Sequence, residues 1–219
     1  MNAVIFSCTS LNLHIDEAQN KEGTSYPVVG LDKKYHSDPA AMKELILKKM
    51  EELPSDVDTI LVSMGLCGGS WSGIEAKHRI VIPKVDDCIT LLLHKDEEWA
   101  FNLKEYGHFY LRDSINDLFS LVKLRDELME EYGADQADII MQEWFSTYSN
   151  VDIIDTGIYD CHSDEYMKEA AENAELVSCE LNHRKGSNIL LEKLVSGKWD
   201  HQFLVVEKED ESSAVARID

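Results

Sequence analysis

The stretch Asp58–Leu93, DTILVSMGLCGGSWSGIEAKHRIVIPKVDDCITLLL, decides the fold. Two apolar runs inside it, Thr59–Met64 and Ile80–Val85, are short, rich in Ile and Val, and bounded by turn residues, as buried strands are. Each run ends in a turn that carries a cysteine. The first turn is Gly65-Leu66-Cys67-Gly68-Gly69-Ser70 and the second is Asp86-Asp87-Cys88. As parallel neighbours, the two strands place both cysteines at their carboxyl ends, the edge where open α/β sheets bind ligands.

Outward from this stretch, strand and helix signals alternate. Ala3–Ser7 reads as a strand running into Cys8-Thr9-Ser10, and residues 11–25 read as a loop. Tyr26–Leu31 reads as an edge strand because of Pro27. Ser37 or Asp38 caps a helix with Pro39 in its first turn, and Met42, Leu45, Ile46 and Met50 share one face. A helix begins near Asp87. His108–Leu111 suits a short strand, and Asp113–Tyr132 and Asp135–Ser149 read as two helices with no strand between them. Strands follow at Val151–Thr156, Glu175–Cys179 and Phe203–Val206, with helices at Asp164–Ala174 and Ser187–Ser196. The expected architecture is one α/β domain over residues 1–207. It has a mostly parallel, Rossmann-like sheet with helices on both faces and a helical hairpin inserted at about 113–149, followed by a frayed tail at 208–219.

Composition narrows the function classes. Asp and Glu number 42 against 21 Lys and Arg, a formal net charge of -21, so the chain repels phosphate backbones and nucleic acid is not an expected partner. No apolar run approaches the roughly 18 residues of a membrane span, and the first residues lack the basic region of a signal peptide. A cytoplasmic protein is expected. There are 5 cysteines, and in a reducing compartment these serve as ligands, reactive thiols or core residues rather than disulfides. There is no dinucleotide fingerprint, phosphate loop, CxxC pair or HExxH pattern.

Cys8, Cys67 and Cys88 each follow a strand, so a parallel sheet can bring them to one edge. With His36 from the turn before a helix, they make a ligand set suited to zinc or an iron–sulfur cluster. The competing reading is that buried cysteines fill space. Gly68, Gly69 and Ser70 suit either an anion cradle for a small-molecule ligand or a tight turn. Asp86 and Asp87 suit general bases or helix-start carboxylates, with Asp87 the choice for a catalytic role. Cys161-His162 forms a looser set beyond the Val151–Thr156 strand, Cys179 reads as core, and His183 falls in no usable arrangement.

The blocks GLCGG, IVIPKVDDCITLLL, GHFYLRD, IIDTG and LLEKLVSGKWDHQFLVV, in that order, resemble domain-of-unknown-function family 1638. The resemblance runs from Cys8 to about Glu207. Lys84 stands where the family commonly has arginine, Asp86 where it has histidine, and Arg112-Asp113-Ser114 where a threonine and a Gly-Trp pair are usual. The resemblance implies a setting in methanogens and anaerobes near corrinoid-dependent methyltransferases. The expected function is therefore a metal- or cluster-binding enzyme or accessory protein of anaerobic one-carbon metabolism, with a corrinoid protein or methyltransferase as partner. A rival is a cysteine hydrolase, because Gly65-Leu66-Cys67-Gly68-Gly69 fits a nucleophile elbow that Asp155 and His183 or His201 would complete. A third reading is a non-catalytic module that docks a partner through its acidic surface.

Overall fold

The structure is a computed structural model and describes residues 1–95, 98–113 and 120–208. It divides into two compact units, residues 1–103 with 187–219 and residues 104–186.

The first unit is built on five strands: β1 (Ala3–Cys8), β2 (Val28–Leu31), β3 (Thr59–Ser63), β4 (Arg79–Pro83) and β8 (Phe203–Val206). Their order is β2-β1-β3-β4-β8, with β8 antiparallel to β4 and the other neighbours parallel. Every residue of β1 and β3 is buried, as expected where helices cover both faces of a parallel sheet. On one face α2 (Pro39–Glu51) lays Met42, Ile46 and Met50 against Phe6, Ile60, Val62 and Ile80. On the other, α1 (Asn12–Glu22) and α7 (Ile189–Ser196) pack together, and Asn188 Nδ2 donates to His14 O at 2.7 Å. The chain leaves β1 to one side for β2 and to the other for β3. The strand order therefore reverses between β1 and β3, where open α/β sheets have their crevice.

The second unit holds a separate parallel sheet, β5 (His108–Leu111), β6 (Asn150–Asp155) and β7 (Glu180–Lys185), in that order. Helices α4 (Leu121–Tyr132) and α5 (Ala134–Phe145) are joined at Gly133 and pack through Leu121, Leu128, Ala137 and Met141. Ser120 caps α4 by accepting from Lys123 N, and α6 (Asp164–Leu176) is capped by Ser163. One short helix, α3 (Cys88–Leu93), follows β4 in the first unit. Among the described residues, no helix is long and apolar enough to cross a membrane.

Several expectations are corrected. The expected single sheet is two, because β5, β6 and β7 pair only with one another. The helical hairpin sits within the unit that carries this second sheet. Residues 11–25 are not a loop. They hold the end of a 3-10 turn, with Leu11 buried, and α1, a mostly polar helix that buries Ile15 and Ala18. The strand expected at Glu175–Cys179 starts later, as β7 at Glu180. The expected start of α4 near Ile115, Leu118 and Phe119 lies outside the described residues, as does the tail from 209 onward.

The shift at β7 has a local cause. Helix α6 ends in a Schellman motif, with Cys179 N donating to Ala174 O at 2.9 Å and Ser178 N to Glu175 O at 3.1 Å. Ser178 takes the left-handed position, φ 55°, that glycine usually fills, so no glycine marks the stop. A left-handed non-glycine residue costs about 1–2 kcal/mol, and glycine returns about 0.5–1 of that as chain entropy. We expect Ser178→Gly to raise stability by roughly 0.5–1 kcal/mol in urea unfolding. A loss of stability would show that the serine side chain holds the turn.

Candidate functional site

The two cysteine-bearing turns meet backbone to backbone. Leu66 N donates to Val85 O at 2.9 Å and Cys67 N to Asp86 O at 2.7 Å. Gly65 lies so close to the second turn that a Cβ there would stand 2.6 Å from both Asp87 Cα and Asp87 N. Only glycine permits this approach. Gly68 lies against the Pro39 ring in the same way, at 2.8 Å from Cγ for an added Cβ, which brings the first turn to the start of α2.

Cys8 ends β1, is buried, and has its sulfur 3.0 Å from Ser10 Oγ. Cys88 is the first residue of α3 and is also buried. Cys67 is half-buried and holds φ 44°, a left-handed backbone that non-glycine residues rarely adopt. Burial pushes its thiol well above the ordinary value of 9.0, and Cys88, Asp87 and Cys8 push it further by their charge. The three cysteines thus lie at the carboxyl edge of β1, β3 and β4, but their sulfurs are not all within 4.8 Å of one another and do not form one ligand shell as they stand.

The other expected residues fare differently. His36 closes a 3-10 turn, Lys33–Tyr35, just before α2, three residues from the Pro39 that Gly68 touches. Asp87 caps α3: its Oδ1 accepts from Ile89 N and Thr90 N, both at 3.0 Å. That is the helix-start role weighed for one of the two aspartates, and Asp86 Oδ1 accepts from Asp87 N at 2.9 Å. Gly69 N and Ser70 N donate to Leu66 O at 3.0 and 3.1 Å, so these two N–H groups close the turn on itself. These bonds make the turn a tight one.

A second cluster lies in the other unit. The ligating atoms of Cys161, His162 and His183 all lie within 4.8 Å of one another, the close set of this kind among the described residues. The two imidazoles stack with centroids 4.7 Å apart and planes inclined by 20°. Asp155 stands beside them, with Oδ2 3.6 Å from His162 Nε2. Burial, and the charge of and a hydrogen bond with Asp155, raise the Cys161 thiol to about 11. Sequence reasoning noted Cys161-His162 but missed His183, which belongs to a different element. Its only signal was register: it shares a strand face with Leu181, where an apolar residue is usual.

A family model described as a protein of unknown function (DUF1638) matches residues 30–195. The chain belongs to the DUF1638 family. The DUF1638 match includes His36, Cys67, Cys88, Cys161, His162 and His183 and begins after Cys8. No curated protein and no solved structure matches the chain.

Two outcomes follow for this DUF1638 edge. Gly65→Ala drives a methyl group into backbone that cannot move aside, and we expect a loss of about 1–3 kcal/mol or more in chemical unfolding. An unchanged midpoint would mean that the turns do not pack as described. The Cys67 thiol keeps its proton in the folded chain at pH values where the unfolded chain has lost it. The stability this supplies is complete below the ordinary value of 9.0 and is lost as pH rises toward the raised folded value. We therefore expect the thermal midpoint of metal-free protein to fall above about pH 9, with a shallower fall in Cys67→Ser. Equal slopes in the two proteins would remove Cys67 as the cause.

Proposed function

We propose that the first unit is a thiolate metal-binding module, with Cys8, Cys67 and Cys88 as its ligands and His36 as a neighbouring donor. One observation carries the reading: two cysteine-bearing turns are packed backbone to backbone at the carboxyl ends of β3 and β4, where burial first, and then Cys88, Asp87 and Cys8, oppose the ionisation of Cys67. Three thiols and a carboxylate at one sheet edge repel one another when ionised, and drawing the thiols into one ligand shell requires their side chains to rotate together. A bound cation offsets that repulsion and lets the thiols lose their protons. The donor set fits zinc or an iron–sulfur cluster; zinc held so activates a thiol, and a cluster passes single electrons. The corrinoid-linked methyl transfer that the family resemblance implies uses both kinds of chemistry. We place the protein there, as an enzyme or as an accessory to a corrinoid protein or methyltransferase.

The cysteine-hydrolase reading has one observation in its favour. Cys67 lies in the turn after β3, beyond Met64, Gly65 and Leu66, in a strained, left-handed conformation of the kind a nucleophile at an elbow adopts. The groups acting on Cys67 disfavour its thiolate, whereas a nucleophile needs a lowered pKa. The proposed acid and base, Asp155 and His183, have their near partners, His162 and Cys161, in the second unit.

Metal and sulfide analysis of protein purified without oxygen tests the reading. We expect Cys67→Ser and Cys88→Ser to act alike. Each should lower metal content by the same equivalent and destabilise the chain, because ligands act as one coordination unit. Full metal retention in both variants, with a thiol-dependent hydrolysis lost only in Cys67→Ser, would favour the nucleophile instead.

A further inference from the structure

The Cys161 cluster is separate from the thiols of the first unit, and its geometry stands without them. Strand β6 ends at Asp155, and the chain then returns over the sheet edge before α6 begins. Several bonds hold that return in place. Gly157 N donates to Asp155 Oδ1 at 3.0 Å, and Tyr159 Oη donates to Ile154 O. His162 N donates to Asp160 Oδ1 at 3.1 Å, and Ser163 Oγ donates to Asp160 O at 3.2 Å while also capping α6. The loop is thus anchored on both sides of Cys161 and His162 by bonds that need no metal.

His183 reaches the same place from β7. It pairs with Ile153 in the parallel ladder, and Asp155 lies two residues further along β6, so the two side chains project to one face. Cys161 is buried, whereas both histidines are exposed, so a soft thiol sits at the base of a site that opens to solvent through two imidazoles. Asp155 joins the parts by hydrogen bonding with Cys161 and lying 3.6 Å from His162 Nε2, with its other oxygen fixed by Gly157.

We propose that Cys161, His162 and His183 bind a zinc-class divalent ion, with Asp155 as the positioning carboxylate. One thiolate and two imidazoles are a borderline-soft set that suits zinc over magnesium or calcium. Ligand atoms of a tetrahedral zinc stand roughly 3.3–3.8 Å apart. A set already within 4.8 Å reaches that spacing by rotating two exposed imidazole rings. Three protein ligands leave a fourth position, the arrangement of zinc sites that take water or substrate. Loading at neutral pH releases the thiol proton to buffer as the sulfur–metal bond forms.

Zinc titration of the full chain under anaerobic conditions tests this, with cobalt(II) as a spectroscopic substitute. We expect the wild type to bind one equivalent more than His162→Ala/His183→Ala, with far-UV circular dichroism unchanged because both rings are exposed. Asp155→Asn should weaken that equivalent by roughly 10- to 100-fold. Cys161→Ser should remove the part of the cobalt–thiolate charge-transfer band that also disappears in the double histidine variant. If the buried Cys161→Ser fails to fold, the histidine pair alone decides. The Cys67→Ser chain should keep this equivalent, so the result stands apart from the thiolate module of the first unit. Equal zinc stoichiometry and affinity in the wild type and the double histidine variant would overturn the proposal and leave the stacked rings a surface contact.

Discussion

The close approach of Gly65 to the Asp86–Asp87 backbone is the constraint on which the first unit's edge depends. Parallel pairing brings β3 and β4 side by side, but it does not fix what their turns do beyond the last ladder bond. A side chain at position 65 would hold the turns apart. Without one, Leu66 N and Cys67 N reach Val85 O and Asp86 O, and the extra bonds carry the pairing past the strands into the cysteine turns. Cys67 is thereby held beside Cys88 and Asp87, and Gly68 can rest against Pro39 at the head of α2. A missing methyl group thus sets the electrostatics of three thiols.

The two clusters differ in ways that their surroundings explain. In the first unit the cysteines sit in two turns packed against each other, and burial keeps the Cys67 thiol protonated. In the second unit one buried thiol lies with two exposed imidazoles. The first arrangement depends on the packing of the sheet edge. The second rests on a loop held by its own backbone and capping bonds, apart from the core beneath it.

Much of this was legible in the sequence. The Val- and Ile-rich runs gave β1, β3 and β4, and their cysteine-bearing ends gave the edge, because a fully buried strand leaves few other patterns. The capping role of Asp38 was legible because it stands directly before Pro39, whereas Asp87, read as the choice for a catalytic role, caps α3. Other features were hidden by local chemistry. Helix α1 buries so few apolar side chains that its period is lost among polar residues, and α6 stops on a serine in place of a glycine. The division into two sheets depends on which strands pair, which no single stretch encodes. His183 was illegible because its partners come from a loop on the far side of α6 in the chain, and only the register of β6 with β7 joins them.

Cys67 shows how strain and function are related at this edge. A left-handed backbone costs a non-glycine residue about 1–2 kcal/mol, and glycines follow it at Gly68 and Gly69, both also left-handed. Three successive residues in this region make a sharp reversal that α2 and the β4 turn then over-determine from outside. Glycine at position 67 would adopt the same path without strain but would leave no thiol between Cys8 and Cys88. The backbone cost falls on the folded chain, whereas the raised pKa only keeps the proton on the Cys67 thiol. The bonds from Leu66 N and Cys67 N to Val85 O and Asp86 O hold this path with no ligand present.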